Sequence, residues 1–301
     1  MVVPGRITLG SRGSDLARAQ VRLVEQALRG AWPELEVATE IIRTSGDESA
    51  KAALIADRKA GRKGLFTREI EKELLVRRID VAVHSAKDLP SEGLDALEVR
   101  ATLPRAVTED ILVTKSRSGL TALARGSVVA TGSIRRQRQL GWIRPDLQIV
   151  DLRGNVPTRL RKLRENEGWS GIILAFAGLQ RLGLKVEGEV LSREDFVPAG
   201  GQGVIALQVR SDDARAQKLI DAINDQRTYV CLRAEREFLR LLNGDCDSPV
   251  GVQAHQEAGK LRLQAQIFEA PGAAPRVGTI EGPSDDPEAI AAKLMRQIYG
   301  G

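Results

Sequence analysis

The chain is poor in the residues on which several function classes depend. Aromatic side chains make up 3% of its 301 residues, and histidine and cysteine occur twice each, as His84 and His255 and as Cys231 and Cys246. So few aromatics cannot supply the stacking platforms of a single-strand nucleic-acid binder. The two cysteines have neither the spacing nor the histidine neighbours of a zinc site, so no metal is expected. The longest apolar run, 172–179, is too short to span a bilayer, and the opening MVVPGRITLGSRGS lacks the apolar core of a signal peptide. The glycine-rich turns spell neither GxGxxG nor a Walker P-loop, which removes the main support for nucleotide binding. Charge is mixed, with 45 basic against 40 acidic residues, so there is no basic tail that would demand nucleic acid. These absences predict a cytoplasmic protein with reduced thiols, without nucleic-acid or membrane partners.

What is present is enough apolar sequence (42%) for proper cores, in a chain long enough for two or three domains. The most pointed stretch runs from Thr131 to Arg159. Val128 to Ala130 reads as a short buried strand, Thr131-Gly132-Ser133 as a turn with Ser133 as N-cap, and Ile134 onward as a helix carrying Arg135, Arg136 and Arg138. A second copy follows. Leu147 to Val150 is strand-like, Leu152-Arg153-Gly154-Asn155 turns, and Pro157 sits where a first helical turn tolerates proline. Helix N-termini present unpaired N–H groups, and guanidinium forks beside them make sites for carboxylate or phosphate. A solvated helix face is the plainer account of such arginines; their place beside Gly, Ser, Thr and Asn in turns speaks for a polyanionic ligand.

The same strand, turn, helix pattern opens the chain. Ile7 to Leu9 leads into Gly10-Ser11-Arg12-Gly13-Ser14, with Ser14 as N-cap, Arg12 beside the helix mouth, and Val21, Val24 and Leu28 on one face. Val37 to Ile42 is a second strand. The polar stretch 44–63 reads as a mobile lid from which Lys59 and Lys63 reach toward an anion, before an amphipathic helix with Ile70, Leu74 and Leu75 inside. The strand Ile79 to Val83 ends in HSAKDLP, placing Lys87 and Asp88 at the edge where open α/β sheets bind ligands, although taken alone a capped turn closed by Pro90 is the plainer account of the pair. Asp110 to Val113 and Gly171 to Ala175 are further strands, with Arg181 soon after the second. PAGGQG (198–203) is a hinge, and Val204 to Val209 returns to the first unit. Beyond Asp212 come two helices, a loop holding Cys246, an alternating strand through Leu261, Leu263, Ala265 and Ile267, and a last helix from Pro287. Cys231 is a core thiol; the looped Cys246 is the better candidate for covalent chemistry.

In order, HSAKDLP, TGSIRRQRQL, DLRGNVPTRL, ILAFAGLQRLG, PAGGQG and a late Gly-x-Cys-x-x-Pro closely resemble the hydroxymethylbilane synthase (porphobilinogen deaminase) family over essentially the whole chain. The resemblance implies two α/β domains of the type II periplasmic-binding-protein kind and a smaller α+β C-terminal domain. On this chain they fall at 1–104 with 200–222, at 105–199, and at 223–301. It implies a transferase of porphyrin and heme biosynthesis that condenses four porphobilinogen molecules head to tail, with loss of ammonia, onto a dipyrromethane cofactor. Hydrolysis then releases the linear tetrapyrrole hydroxymethylbilane. The cofactor is held by a thioether, for which Cys246 is the matching position.

By the same resemblance Asp88 is the acid and base. Arg12, Ser14, Lys87, Arg135, Arg136, Arg153, Arg159 and Arg181 take the acidic side chains of cofactor and substrate; Ser85, Thr131, Gly132, Ser133 and Asn155 line the turns, and Phe66 covers the rings from the lid. A monomer is expected, since the cleft lies inside one chain. Two departures stand out: Asp15 replaces a frequent proline, and Asp245 and Asp247 flank Cys246, where they raise the thiol pKa and repel an acidic cofactor. The rival expectation is a non-catalytic two-lobed anion-binding protein, which needs neither Asp88 nor Cys246.

Overall fold

Three stretches of strand-forming sequence become three separate sheets in the computed structural model, which describes residues 5–44, 67–243 and 248–300. The first unit begins with β1 (Arg6–Arg12), α1 (Asp15–Ala31), β2 (Glu36–Ile42), α2 (Arg68–Leu75), β3 (Val81–Ser85) and β4 (Leu97–Thr102). Ser14 caps α1 by accepting from the Ala17 N–H, and Val21, Val24 and Leu28 are buried against Ile7 and Leu9, as the periodicity predicts. On α2, Ile70 and Leu74 are buried but Leu75 is 42% exposed, because the helix ends there and never turns that residue back toward the sheet.

The second unit runs through β5 (Asp110–Thr114), β6 (Val128–Ala130), α3 (Ile134–Ile143), β7 (Gln148–Val150), α4 (Val156–Glu165), β8 (Gly171–Ala175), α5 (Phe176–Arg181) and β9 (Glu189–Val190). The chain then recrosses, and β10 (Ile205–Arg210) inserts between β3 and β4, antiparallel to both. All six residues of β10 are buried, which is why its sequence is nearly continuous in apolar residues.

The two sheets share a plan: the orders are β2-β1-β3-β10-β4 and β7-β6-β8-β5-β9. In each, parallel crossovers set second beside first beside third strand, and a strand from across the hinge then runs antiparallel. This is the two-lobed type II periplasmic-binding arrangement. It brings the C-terminal ends of β1 and β3 to face those of β6, β7 and β8, and α1 packs against α5 across the opening.

α6 (Ala214–Asp221) packs against the first sheet and completes the first unit; the third unit is α7 (Gln226–Leu241), the antiparallel sheet β11 (Val250–Glu257), β12 (Lys260–Ile267) and β13 (Arg276–Pro283), and α8 (Pro287–Tyr299). Leu261, Leu263, Ala265 and Ile267 face inward onto Val230, Ala234 and Phe238 of α7 and Ile290 and Leu294 of α8. Each such fully buried large side chain contributes on the order of 1.5–3 kcal/mol of transfer free energy. Cys231 lies in this core, its thiol pushed up to about 12 by burial and by Glu235.

Candidate functional site

The turn after β3 is the centre of the site. A short 3-10 turn, Ala86–Asp88, swings Asp88 over the strand ends, where it shares a cavity with Arg12 and Ser14 from the β1–α1 turn and with His84 and Ser85. Ser85 Oγ accepts from Gln20 Nε2 at 2.7 Å, which ties the turn to α1. Thr67, at the mouth of α2, closes another side.

The arginine-bearing turns of the second sheet converge opposite. A Cβ on Gly132 would lie 2.4 Å from the Leu152 carbonyl, so only glycine lets the turns after β6 and β7 touch. Thr131 is buried and its Oγ1 accepts from the Ser133 N–H. Ser133 holds the N-cap position of α3 without a side-chain capping bond, whereas Asn155 caps α4 by accepting from the Thr158 N–H at 2.9 Å. Arg159 reaches back to the Gly154 carbonyl at 2.7 Å, and the more exposed Arg153 pairs with Asp151 at 2.8 Å. Arg181, at the end of α5, donates to the hinge carbonyl of Gly203 at 2.7 Å.

Arg135 and Arg136 are placed differently from the other cations. Both are buried, and each donates through Nη2 to Asp110, at 2.8 Å in both cases. Asp110 is fully buried and also accepts from Gln202 Nε2 at 2.8 Å. Desolvation opposes its charge, but the two guanidiniums outweigh that and hold the carboxyl far below its usual range. The Nε atoms of Arg135, Arg136 and Arg138 are buried without a hydrogen-bond partner.

Lys87 extends the same network across the hinge. Its Nζ donates to Gln202 Oε1 at 3.4 Å, and a Cβ on Gly201, whose φ is +74°, would lie 2.9 Å from the Lys87 backbone nitrogen. Desolvation first and Arg136 second push the lysine down to about 8, with Asp88 and Asp110 acting the other way. Arg159 is held down to about 10 by desolvation and then by Arg136 and Arg153, with Asp88 again opposing. Arg136 and Asp88 therefore act on side chains of both lobes. The field between the lobes is net positive, an arrangement suited to neutralising an acid-rich ligand and to holding it beside Asp88.

The fold thus gathers Arg12, Ser14, Ser85, Lys87 and Asp88 on one lobe, and Thr131, Gly132, Ser133, Arg135, Arg136, Arg153, Asn155, Arg159 and Arg181 on the other, at facing strand ends. Lys59, Lys63, Phe66 and Cys246, with Asp245 and Asp247, lie outside the described residues. Sequence reasoning passed over Asp110 and Gln202, which hold the arginines and Lys87. It also passed over Glu235 of α7. That carboxylate is fully buried and accepts from Arg105 at 2.6 and 3.1 Å, Gly201 N at 2.7 Å and Ala254 N at 2.6 Å, joining both chain crossings to the third unit.

Two family models match the chain: the porphobilinogen deaminase dipyrromethane cofactor binding domain over residues 7–218, and the porphobilinogen deaminase C-terminal domain over residues 229–300. A porphobilinogen deaminase of Moorella thermoacetica is 42% identical over 293 residues, covering 97% of this chain and 92% of its own length. One of Roseiflexus sp. is 43% identical over 296 residues, covering 97% and 95%. One of Thermus thermophilus is 40% identical over 294 residues, covering 97% and 95%.

Proposed function

The chain belongs to the porphobilinogen deaminase family and is a transferase of tetrapyrrole biosynthesis acting on porphobilinogen, and we propose that Asp88 is its proton-transferring group and Cys246 the anchor of its cofactor. The observation that carries the assignment is the cavity shared by Asp88, Arg12, Ser14 and Ser85 beneath the cationic turns of the facing lobe.

The residues present fit a dipyrromethane. Lys87, Arg159 and Arg181 each make one hydrogen bond to a neutral oxygen and form no salt bridge among the described residues, so the cleft holds desolvated cations in excess of its carboxylates. Each porphobilinogen brings an acetate and a propionate. Arg12, Lys87, Arg153, Arg159 and Arg181 would take these groups. Arg135 and Arg136, already fixed by Asp110, would present their remaining edges as preorganised donors. Ser14, Ser85, Thr131, Gly132, Ser133 and Asn155 would line the turns at the reacting rings, and Lys59, Lys63 and Phe66 would close over them. When bound through a thioether to Cys246, the dipyrromethane supplies the pyrrole carbon at which the chain grows.

Asp88 would protonate the amine leaving porphobilinogen, hold the resulting cation through its pyrrole N–H, and assist loss of the α-proton after coupling. The cations around it keep each ring in line for attack and cancel the growing product charge. Four condensations and a hydrolysis would yield hydroxymethylbilane. We place the enzyme in the cytoplasm as a monomer, with lobes at 1–104 with 200–222 and at 105–199, and the cofactor domain at 223–301. Intact-mass measurement of active enzyme tests the anchor. The expected excess is two porphobilinogens less two ammonias, lost in Cys246→Ser; an active chain of unmodified mass overturns it.

A further inference from the structure

A second cavity, of about 190 Å³, lies between the first sheet and the third unit. One wall is the face of α7 that carries Arg233, Arg236 and Arg240; the other is Ser91, in the turn beyond Asp88, and Val99 of β4. The three arginines are in different states. Arg233 is bound by both oxygens of Glu288 at 2.7 and 2.6 Å, and Arg240 by both of Glu237 at 2.7 and 2.7 Å. Arg236, between them, has no carboxylate within 4.0 Å among the described residues, and its contact is the Ser91 carbonyl at 3.5 Å, the outer limit of a hydrogen bond. Desolvation holds this guanidinium below its ordinary pKa, with the distant Glu71 opposing. A desolvated cation without a fork partner is costly, and such groups are ordinarily paired.

The rest of the lining is Leu232, Val99 and the ring of Tyr229, whose hydroxyl donates to the Val99 carbonyl at 3.3 Å, together with Glu237 and Glu288, each already held by its own arginine. With those four charges paired off, one uncommitted guanidinium beside apolar side chains is left as the single orienting charge for a small molecule. A compact dianion such as phosphate needs several donors, and Arg233 and Arg240 are already engaged. We propose that this cavity binds a small planar organic carboxylate, its carboxylate held by Arg236 and its apolar body lying among Val99, Leu232 and Tyr229. The ligand adds a tie between the third unit and the first sheet at the cavity, where Arg236 and Tyr229 make the long bonds to Ser91 and Val99. It also neutralises a cation whose field reaches His84, a residue of the cavity that holds Asp88.

The test uses cofactor-loaded enzyme and 3-fluorobenzoate followed by fluorine NMR. Saturable binding is expected, weakened about tenfold or more in Arg236→Gln, as loss of a charged hydrogen bond requires. Val99→Phe, which fills the slot from the opposite wall, abolishes it and carries the test alone if the arginine variant does not fold. Equimolar inorganic phosphate leaves the signal unchanged. The proposal is overturned by absence of saturable binding, by equal affinity in both variants, by displacement with phosphate, or by displacement with porphobilinogen, which would place the probe in the catalytic cleft.

Discussion

Asp110→Asn tests the electrostatic design of the cleft most directly. The native carboxylate is fully buried and accepts from Arg135, Arg136 and Gln202, each at 2.8 Å. Asparagine keeps one acceptor, turns an NH2 toward donors, and leaves two buried guanidiniums without a counter-charge beside Lys87. Breaking one buried pair costs about 3–5 kcal/mol, so the cofactor-free protein should lose at least about 3 kcal/mol, or roughly 6–12 °C in Tm at about 2–4 °C per kcal/mol. If Arg135 and Arg136 present their free edges to the cofactor's carboxylates, loading supplies part of the missing charge. The loss in the loaded enzyme should then be smaller by about 1.5–3 kcal/mol, the worth of a charged hydrogen bond. Urea unfolding of both forms, wild type and variant, gives the four numbers needed. A loss under about 1 kcal/mol in the cofactor-free form would show that Asp110 is not what holds the arginines. Equal losses in the two forms would show that these arginines serve structure alone.

Three further outcomes are expected. Asp88→Asn should lower turnover of porphobilinogen by about 10²–10⁴, the range of general acid–base catalysis, with cofactor loading intact; a loss below tenfold would remove Asp88 from the chemistry. Burial holds His84 down at about 4 against an ordinary 6.5, so the unfolded chain binds the extra proton in that window. Stability should therefore fall as pH falls from about 6.5 to 4, by roughly 3 kcal/mol at about 1.4 kcal/mol per unit, and His84→Gln should flatten that limb of a urea-midpoint profile. Glu235→Gln strands Arg105 and should cost about 3 kcal/mol or more, partly recovered in Glu235→Gln with Arg105→Met; simple additivity of the two changes would argue against a coupled pair.

Much of this arrangement was legible because it rests on local signals. Ser14 caps α1 and Ser133 takes the N-cap position of α3, the latter without a side-chain bond, as their places before helices predict, and the apolar run of β10 is the returning strand. The third sheet was read only through β12. Its edge strand β13 is largely exposed, with two glycines and no clean alternation, and β11 buries Val250, Val252 and Ala254 with Gly251 and Gln253 between them and a polar end. Arg135 and Arg136 looked like open forks at a helix mouth. Their partner, Asp110, stands 25 and 26 residues away in sequence, a distance at which no local pattern speaks. One signal existed: an aspartate opening the apolar strand Asp110-Ile-Leu-Val-Thr needs a cation wherever that strand is buried. Glu235 offered none. It sits in Arg233-Ala-Glu-Arg-Glu, which reads as ordinary solvated helix charge, and only the packing of α7 over the hinge takes its carboxylate out of water.

The polar groups that position the site and those that join the units form a continuous path. Lys87 bonds Gln202, Gln202 bonds Asp110 and the Thr108 carbonyl, and Arg105 bonds both the Gln202 carbonyl and Glu235. Residues 105 and 201–203 belong to the two chain crossings, so any rotation of one lobe on the other must strain bonds to Asp110 or Glu235 while leaving the sheet cores untouched. Burial lowers the pKa of Lys87, and on the same path Arg136 lowers it further while Asp88 and Asp110 raise it. An acidic ligand filling the cleft adds negative charge on the side where the cations are in excess. It must therefore raise the proton affinity of Lys87, and by linkage bind more tightly as pH falls through about 8. Hinge geometry and ligand charge are coupled through one lysine, and substitutions at Gln202 should disturb both together.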